Sequence, residues 1–335
     1  MSDALLNALA EALADVVISI DTCDDDVLDP DTAVKWLETT GYPLDRLPPA
    51  DRRELARLFR RAAHRHPAGA WRDELLRMPE GFGLDDDQHE LYCDAIEHVE
   101  GRFVATAREA DPATPVTTCP GWTFADLVRH HGTTHRWMEH LIRIRAAERV
   151  WSREIPLNLP DDAAAYPDWL ARGAESVLGT LRKADPDTPM WSDGADQRVA
   201  YFPRRLLFEA VVHLADAELS LGREPSIGPG TAADGIEEFL ENLPYFPWLA
   251  EPVSRLADGS VVLSATDTGA SWTVGFGEAG FGWSKSATDD ASARVEGPAG
   301  DLLLLTYGRR SADDPRFTVT GDPSVPASWL AATAF

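Results

Sequence analysis

Acidic residues and histidines at helical spacing are the strongest chemical signal in this chain of 335 residues. Glu209 and His213 lie four residues apart in an apolar segment that the pattern predicts to be helical, so both side chains share one face. With an imidazole from a facing helix, this pair supplies three ligands for a divalent metal and leaves a position open, as in catalytic zinc sites. Taken alone the pair is weak evidence, because a helix-surface pair or a hydrogen-bonded core histidine is commoner.

A second predicted helix carries the histidines that could provide the third ligand. Thr123 and Asp126 match a capping box, which places the start of this helix at residue 123. The helix contains four of the chain's nine histidines: His130, His131, His135 and His140. The first two point about 100° apart, so we expect at most one of them to face a metal.

Four helices are predicted around these residues. Their expected bounds are residues 90–109, 123–142, 163–183 and 204–221, with Gly222 as the C-terminal stop signal of the last one. This spacing predicts an antiparallel four-helix bundle over residues 88–250, and facing helices of such bundles are a usual place for metal sites.

The remainder of the chain is predicted to be an α+β tail, residues 251–335. After Pro252 the hydrophobic period changes from helical to about two. Short antiparallel strands are expected at 261–264, 271–276, 282–284, 293–295 and 316–320, with helices at 301–307 and 326–332. The predicted fold class is therefore mainly α with a small C-terminal α+β domain.

Residues 1–87 are predicted to be a separate N-terminal helical extension, in which residues 79–87 form the linker to the bundle. Its charges are segregated: residues 1–45 contain eleven acids and one lysine, whereas residues 46–78 contain nine arginines and four acids. The favoured interpretation is a pair of solvated helix faces that neutralise each other. A surface that docks a protein partner is the alternative.

The overall charge excludes one class of function. The chain has 31 Lys+Arg and 56 Asp+Glu, a formal net charge of −25. Affinity for nucleic acid comes from cations that displace counterions, so we expect no nucleic-acid partner. Only three of the basic residues are lysines, a composition typical of GC-rich genomes such as those of actinobacteria.

The cysteines and the apolar segments indicate the compartment. Cys23, Cys93 and Cys119 are odd in number and have no CxxC spacing, so neither a disulfide framework nor a zinc knuckle is expected. No apolar run reaches the roughly 18 residues that a membrane span needs. The sequence therefore predicts a soluble, cytoplasmic protein that does not contact the membrane.

Three segments, in order, resemble one known family. The first runs from Thr118-Cys119-Pro120-Gly121-Trp122-Thr123 through His130-His131-Gly132 to His135-Arg136-Trp137, the second is residues 209–218 (EAVVHLADAE), and the third is residues 293–297 followed by 301–310. Together they resemble the signatures of the maleylpyruvate isomerase family of mycothiol-dependent, DinB-like enzymes. The resemblance covers about residues 88–335 and leaves residues 1–87 unmatched.

The resemblance implies a metal triad of His130, Glu209 and His213, with His131 as the alternative to His130. The resemblance does not decide the roles of two residues near this triad. His135 either donates to a ligand carboxylate or has a plain structural role, and Asp216 either orients His213 or pairs with an arginine.

Cys119 precedes the predicted helix, whose positive end could lower the pKa of its thiol. We nevertheless expect a structural role for this cysteine, because the family often has a cysteine here without using it as a nucleophile.

The implied activity is thiol chemistry. Zinc held by two imidazoles and a carboxylate keeps a net positive charge and can bind the mycothiol thiol as thiolate. The thiolate would attack a small electrophile, either as an isomerase or as an S-transferase. Arg309 or Arg310 is the candidate catalytic residue for holding an acidic substrate, unless both occupy a solvent-facing helix end. The alternative function is a non-catalytic, metal-binding regulatory or interaction protein in which residues 1–87 dock a partner.

Overall fold

The computed structural model describes residues 3–24, 26–44, 46–47, 49–67, 69–84, 88–278 and 280–333. The chain forms two compact units, Met1–Leu91 and Tyr92–Phe335. No helix in the described ranges is both long and apolar enough to cross a membrane.

The first unit is helical. It contains α1 (Asp3–Asp21), α2 (Pro30–Leu44), α3 (Pro49–Arg65) and α4 (Ala70–Gly81). Its core is built mainly from α1, α3 and α4, around buried Phe59, Ala14 and Leu75. Arg65 on α3 pairs with Glu11 on α1, so one contact joins the basic and acidic segments as their charges suggest.

The prediction of a linker at residues 79–87 was wrong at its beginning. Residues 79–81 are the last residues of α4, a helix that the sequence pattern did not reveal. Pro79, the residue that suggested a break, is buried inside this helix. Residues 85–87 of the predicted linker lie outside the described residues.

Four long helices carry the residues of the predicted bundle: α5 (Gln88–Glu109), α6 (Phe124–Ile144), α7 (Tyr166–Leu181) and α8 (Tyr201–Ser220). The capping box at the start of α6 is confirmed, since the Asp126 N–H donates to the Thr123 hydroxyl and the Thr123 N–H donates to the Asp126 carboxylate. Because this cap begins α6 at a defined residue, it also sets which side chains face inward along the helix.

Close packing of α6 against α7 depends on Gly132. A Cβ at this position would lie 2.1 Å from the ring of Trp169, a distance that no side chain tolerates. The Trp169 ring is fully buried here, and the guanidinium of Arg136 lies 3.7 Å from its centroid. Gly132 therefore permits the close approach of α6 to the Trp169 ring on α7.

Two helices that the sequence pattern did not reveal follow the bundle: α9 (Pro229–Asn242) and α10 (Pro247–Val253). They lead into a five-stranded sheet and two further helices. These are β1 (Gly259–Ala265), β2 (Ser271–Phe276), β3 (Gly282–Ser284), β4 (Ala293–Gly297), α11 (Ala299–Thr306), β5 (Thr318–Gly321) and α12 (Ser324–Ala332). Helix α11 packs against α9 and against the sheet, so it joins the tail to the helical part of this unit.

The sheet has the strand order β3-β2-β1-β4-β5. Three of its neighbouring pairs are antiparallel as predicted, but β1 and β4 are parallel, with Leu263 opposite Val295. The expectation of antiparallel strands throughout was wrong at this pair. After β3 the chain crosses from one edge of the sheet to the far side of β1. The alternation of apolar and polar residues within a single strand does not indicate which strand will be its neighbour, so the sequence pattern could not predict this crossover.

Candidate metal centre

The structure brings together the three residues of the predicted triad. His130 on α6 places its Nε2 atom 3.1 Å from Oε1 of Glu209 on α8. The Nε2 atom of His213, one turn further along α8, lies 3.2 Å from the same oxygen. Two ring nitrogens and one carboxylate oxygen from two facing helices therefore converge on one point.

This donor set fits a divalent metal such as zinc. Two imidazoles and one carboxylate are the protein ligands of many catalytic zinc sites. The His213 side chain is 9% exposed, whereas that of His130 is 42% exposed, so the cluster is closed on the α8 side and open on the other. An open side leaves room for a further ligand, as catalytic sites require.

Asp216 holds the imidazole of His213 from behind. Its Oδ2 atom accepts a hydrogen bond from Nδ1 of His213 at 2.9 Å, so Nε2 is left facing the cluster. The same carboxylate accepts from the Thr118 hydroxyl at 2.6 Å and from Nε and Nη2 of Arg309 at 3.0 Å each. Both roles that the sequence left open for Asp216, orienting the imidazole and pairing with an arginine, occur together.

The contacts within the cluster shift the pKa values of Asp216 and His213 in opposite directions. Burial alone would raise the pKa of Asp216, but His213 and Arg309 hold it well below its usual range. Burial also disfavours the charged form of His213, yet its bonds to Asp216 and Glu209 raise the pKa of His213 to about 9. At neutral pH the cluster therefore retains a proton that a divalent cation must displace.

Arg205 is a member of the site that sequence reasoning missed. It lies one turn before Glu209 on α8, and its guanidinium pairs with the Glu209 oxygen that does not face the histidines. It also pairs with the buried carboxylate of Glu238 and donates to the Tyr307 hydroxyl at 3.1 Å. The spacing of Arg205 and Glu209 at i and i+4 was the available signal.

The two candidate arginines have different surroundings. Arg309 follows α11 directly and lies at the cavity beside the metal-ligand cluster, where it binds Asp216 and its Nη2 lies 3.5 Å from the Cys119 sulfur. Arg310 is not among the residues that line this cavity, and it pairs instead with Glu224 and Asp301. The structure thus brings Arg309, but not Arg310, to the predicted triad.

A cavity of about 480 Å³ opens beside the cluster, a volume within the usual range of small-molecule sites. Much of its wall is aromatic: Trp122, Trp137, Phe246, Trp248 and Tyr307. All three triad residues line it, together with Arg205 and Arg309. The cavity therefore offers a largely apolar wall with the charged groups gathered in one region.

Cys119 also lines the cavity, but its thiol is not activated. Burial and the neighbouring Asp216 carboxylate raise the pKa of Cys119 to about 11, although Arg309 acts in the opposite direction. The possibility that the helix start lowers this pKa is therefore not supported, because burial and the Asp216 carboxylate both raise it. A structural role for Cys119 agrees with this result.

His131 and His135 point away from the triad. Both bind Glu100 of α5 in the interior of the unit. The sequence allowed His135 to support a carboxylate of the triad, and the structure instead gives it a different carboxylate. Since His131 is directed to Glu100, His130 is the histidine of this pair that faces Glu209.

Two family models match consecutive parts of the chain. Residues 93–218 match the family model described as the mycothiol maleylpyruvate isomerase N-terminal domain, and residues 231–328 match that of the C-terminal domain of the same enzymes. No curated protein sequence matches the chain at a significant level.

Among solved structures, a crystal structure of the mycothiol-dependent maleylpyruvate isomerase and one of its histidine-to-alanine mutant each give 14% identity and a TM-score of 0.49. Each match covers 72% of this chain and 97% of the other. The two family models lie in consecutive order and together span most of the second compact unit. The chain belongs to the mycothiol-dependent maleylpyruvate isomerase family.

Proposed function

We propose that the chain is a metal-dependent enzyme that uses mycothiol and acts as an isomerase or S-transferase on a small electrophile. The observation that carries the proposal is the convergence of His130, Glu209 and His213 at the open wall of a cavity of about 480 Å³. Membership of the family supports mycothiol as the thiol.

The three residues would hold a divalent ion, with zinc as the favoured metal. A bound zinc ion supplies a positive centre at which a thiol is deprotonated at neutral pH. Asp216 keeps the Nε2 atom of His213 directed at that centre, and Arg205 neutralises the second oxygen of Glu209. These contacts preorganise the ligands before the cofactor enters.

The cavity suits the next step. Its wall, which includes Trp122 and Trp248, is largely apolar and would reduce the contact of the thiolate and the electrophile with water. Mycothiol bound here would supply a thiolate nucleophile for an electron-poor carbon of the substrate. An isomerase would release the thiol again, whereas a transferase would retain it in the product, with uptake of a proton or loss of a leaving group with its electron pair.

Arg309 is the candidate for positioning an acidic substrate or cofactor group at the cavity. Its side chain is only 6% exposed and is already bonded to Asp216, so it also has a positioning role toward His213. Arg310, which pairs with Glu224 and Asp301 outside the cavity lining, is not retained as a candidate for substrate contact.

The test is a thiol and metal screen on the full chain. Metal-free protein is loaded with Zn²⁺ and assayed with mycothiol, glutathione or cysteine against maleylpyruvate and against monochlorobimane. We expect activity with zinc and mycothiol together, and its loss in His213→Ala but not in His140→Ala, which alters a histidine outside both His/Glu clusters. Free thiol is regenerated by isomerisation and consumed by transfer, so thiol titration separates the two reactions.

The alternative, a non-catalytic metal-binding protein, predicts that zinc binds but that no thiol and electrophile pair turns over. The open cavity beside the cluster supports the enzyme, because in a purely structural metal site the protein occupies every coordination position. Both family models begin after residue 92, so the proposal assigns no role to the first compact unit.

A further inference from the structure

A second cluster of two histidines and a carboxylate lies inside the same unit. Glu100 on α5 faces His131 and His135, which lie one turn apart on α6. The Oε1 atom of Glu100 is 2.7 Å from Nε2 of His131 and 2.8 Å from Nε2 of His135, and the two nitrogens are 3.1 Å apart. Three potential ligand atoms thus converge on one point, as in the first cluster.

Hydrogen bonding alone does not satisfy this arrangement. If both Nε2 atoms carry a proton, both can donate to Glu100, but the two N–H groups then lie against each other. If one Nε2 is unprotonated, its lone pair either faces the negatively charged oxygen of Glu100 or accepts the proton of the other Nε2, which is then shared between the ring and the carboxylate. A cation at the centre would bind all three lone pairs at once.

The cluster is also fully enclosed. The side chains of His131 and His135 are 0% exposed, and Oε2 of Glu100 is buried without a hydrogen-bond partner. A buried carboxylate with an unpartnered oxygen is costly unless a cation neutralises it.

We propose that Glu100, His131 and His135 form a second, structural binding site for a divalent metal, with zinc as the favoured ion. Two imidazole nitrogens and a carboxylate are ligands that zinc prefers. The unpartnered Oε2 of Glu100 is available for bidentate coordination, so three residues can supply four donor atoms.

The geometry needs little adjustment. Zinc bonds of about 2.1 Å in a tetrahedral site place the ligand atoms about 3.4 Å apart. The observed separations of 2.7 to 3.1 Å therefore have to widen by less than about 1 Å.

The second site is distinct from the first. The two clusters share no residue, and the ring centroids of His131 and His213 are 5.9 Å apart. The first cluster opens to a cavity, whereas the second is enclosed by protein and has no wall in common with that cavity. A closed site of this kind cross-links α5 to α6 and stabilises the fold, and it has no free position for a substrate.

The experiment counts metal ions in defined variants. The full chain is unfolded with chelator, refolded with Zn²⁺ and desalted, and zinc per chain is measured by plasma mass spectrometry. We expect two ions in the wild type and in the control His140→Ala, one ion in His130→Ala, one ion in Glu100→Gln, and none in the double variant. One ion in the wild type that Glu100→Gln retains and His130→Ala loses would overturn the proposal while leaving the proposed function intact.

A second measurement covers the case in which Glu100→Gln does not fold. In His130→Ala, where the first cluster is broken, refolding with Zn²⁺ is expected to raise the thermal midpoint above that of the chelator-treated chain. Co²⁺ loaded into the same variant is expected to give the visible bands of a tetrahedral nitrogen and oxygen site. An unchanged midpoint together with no cobalt bands contradicts the second site, and neither readout depends on enzyme activity.

Discussion

Nδ1 of His213 and Oδ2 of Asp216 lie 2.9 Å apart on successive turns of α8, and this bond fixes the nitrogen that faces the metal-ligand cluster. The charge of Asp216 is balanced in turn by Arg309, which lies 93 residues further along the chain. The position of one imidazole therefore depends on both family domains of the second unit.

Replacing Asp216 by asparagine tests this support. The substitution Asp216→Asn keeps the shape of the side chain but weakens the hold on His213 and leaves Arg309 without its carboxylate, so zinc affinity at the first cluster should fall about 10- to 100-fold. Competition with a chromophoric chelator measures the change. Glu218→Gln on the same helix removes a carboxylate that pairs with Arg102, and it should leave zinc affinity unchanged. Equal affinities in both variants would show that the bond does not tune the metal ligands.

The two arginines after α11 should differ in their effects. Arg309→Ala leaves the fully buried Asp216 carboxylate without its guanidinium partner, a change that typically costs about 3–5 kcal/mol. We expect a large drop in unfolding free energy and in thiol-dependent activity.

Arg310→Ala removes ion pairs to Glu224 and Asp301, the first of which is well exposed, and activity should stay within about twofold of the wild type. The unfolding free energy from denaturant titration and the thiol-dependent activity are measured for both variants. A comparable loss of activity in both would contradict the assignment of Arg309 alone to the cavity.

Cys119 should be unreactive near neutral pH. Its thiol, with a pKa of about 11, is protonated below that value, so the thiolate fraction and the alkylation rate rise only as the pH approaches 11. Mass spectrometry after iodoacetamide treatment at pH 7.5 should find Cys119 unmodified in the native chain and modified in the denatured chain. Cys119→Ala should keep most of the activity. Rapid native alkylation, or loss of activity without loss of bound zinc, would instead indicate a catalytic thiol.

The capping box should stabilise the first turn of α6 by a measurable amount. Thr123→Ala removes the side-chain acceptor for the Asp126 N–H, which costs about 1 kcal/mol at a typical N-cap. Amide hydrogen exchange in the first turn of α6 should then become about fivefold faster. Thr133→Ala, a matched control in the middle of the helix, removes only a bond from its hydroxyl to the Arg129 carbonyl. It should leave first-turn exchange unchanged.

The triad could be anticipated because its signals are local. Glu209 and His213 share a helix face at i and i+4, and the capping box fixes where α6 begins, but spacing alone left His130 and His131 as alternatives for the third ligand. The resemblance to a known family added the pairing of the two helices, which spacing alone does not contain.

The features that were missed depend on tertiary contacts. His131 and His135 have the same i, i+4 spacing as Glu209 and His213, but their carboxylate comes from α5, 31 residues before His131. The parallel pairing of β1 and β4 was missed for the same reason, since it is decided by a crossover between distant segments. Arg205 was not identified because an arginine before a glutamate on a helix usually forms an ordinary surface pair.

Two consecutive histidines on α6 point in different directions: His130 faces the cavity and His131 faces the interior. Since one residue turns an α-helix by about 100°, a single insertion or deletion between Thr123 and His130 would misdirect both imidazoles at once. It would also carry Gly132 away from the Trp169 ring, which has no room for a Cβ. The number of residues between Thr123 and His130 therefore determines the direction of both imidazoles and the position of Gly132 together.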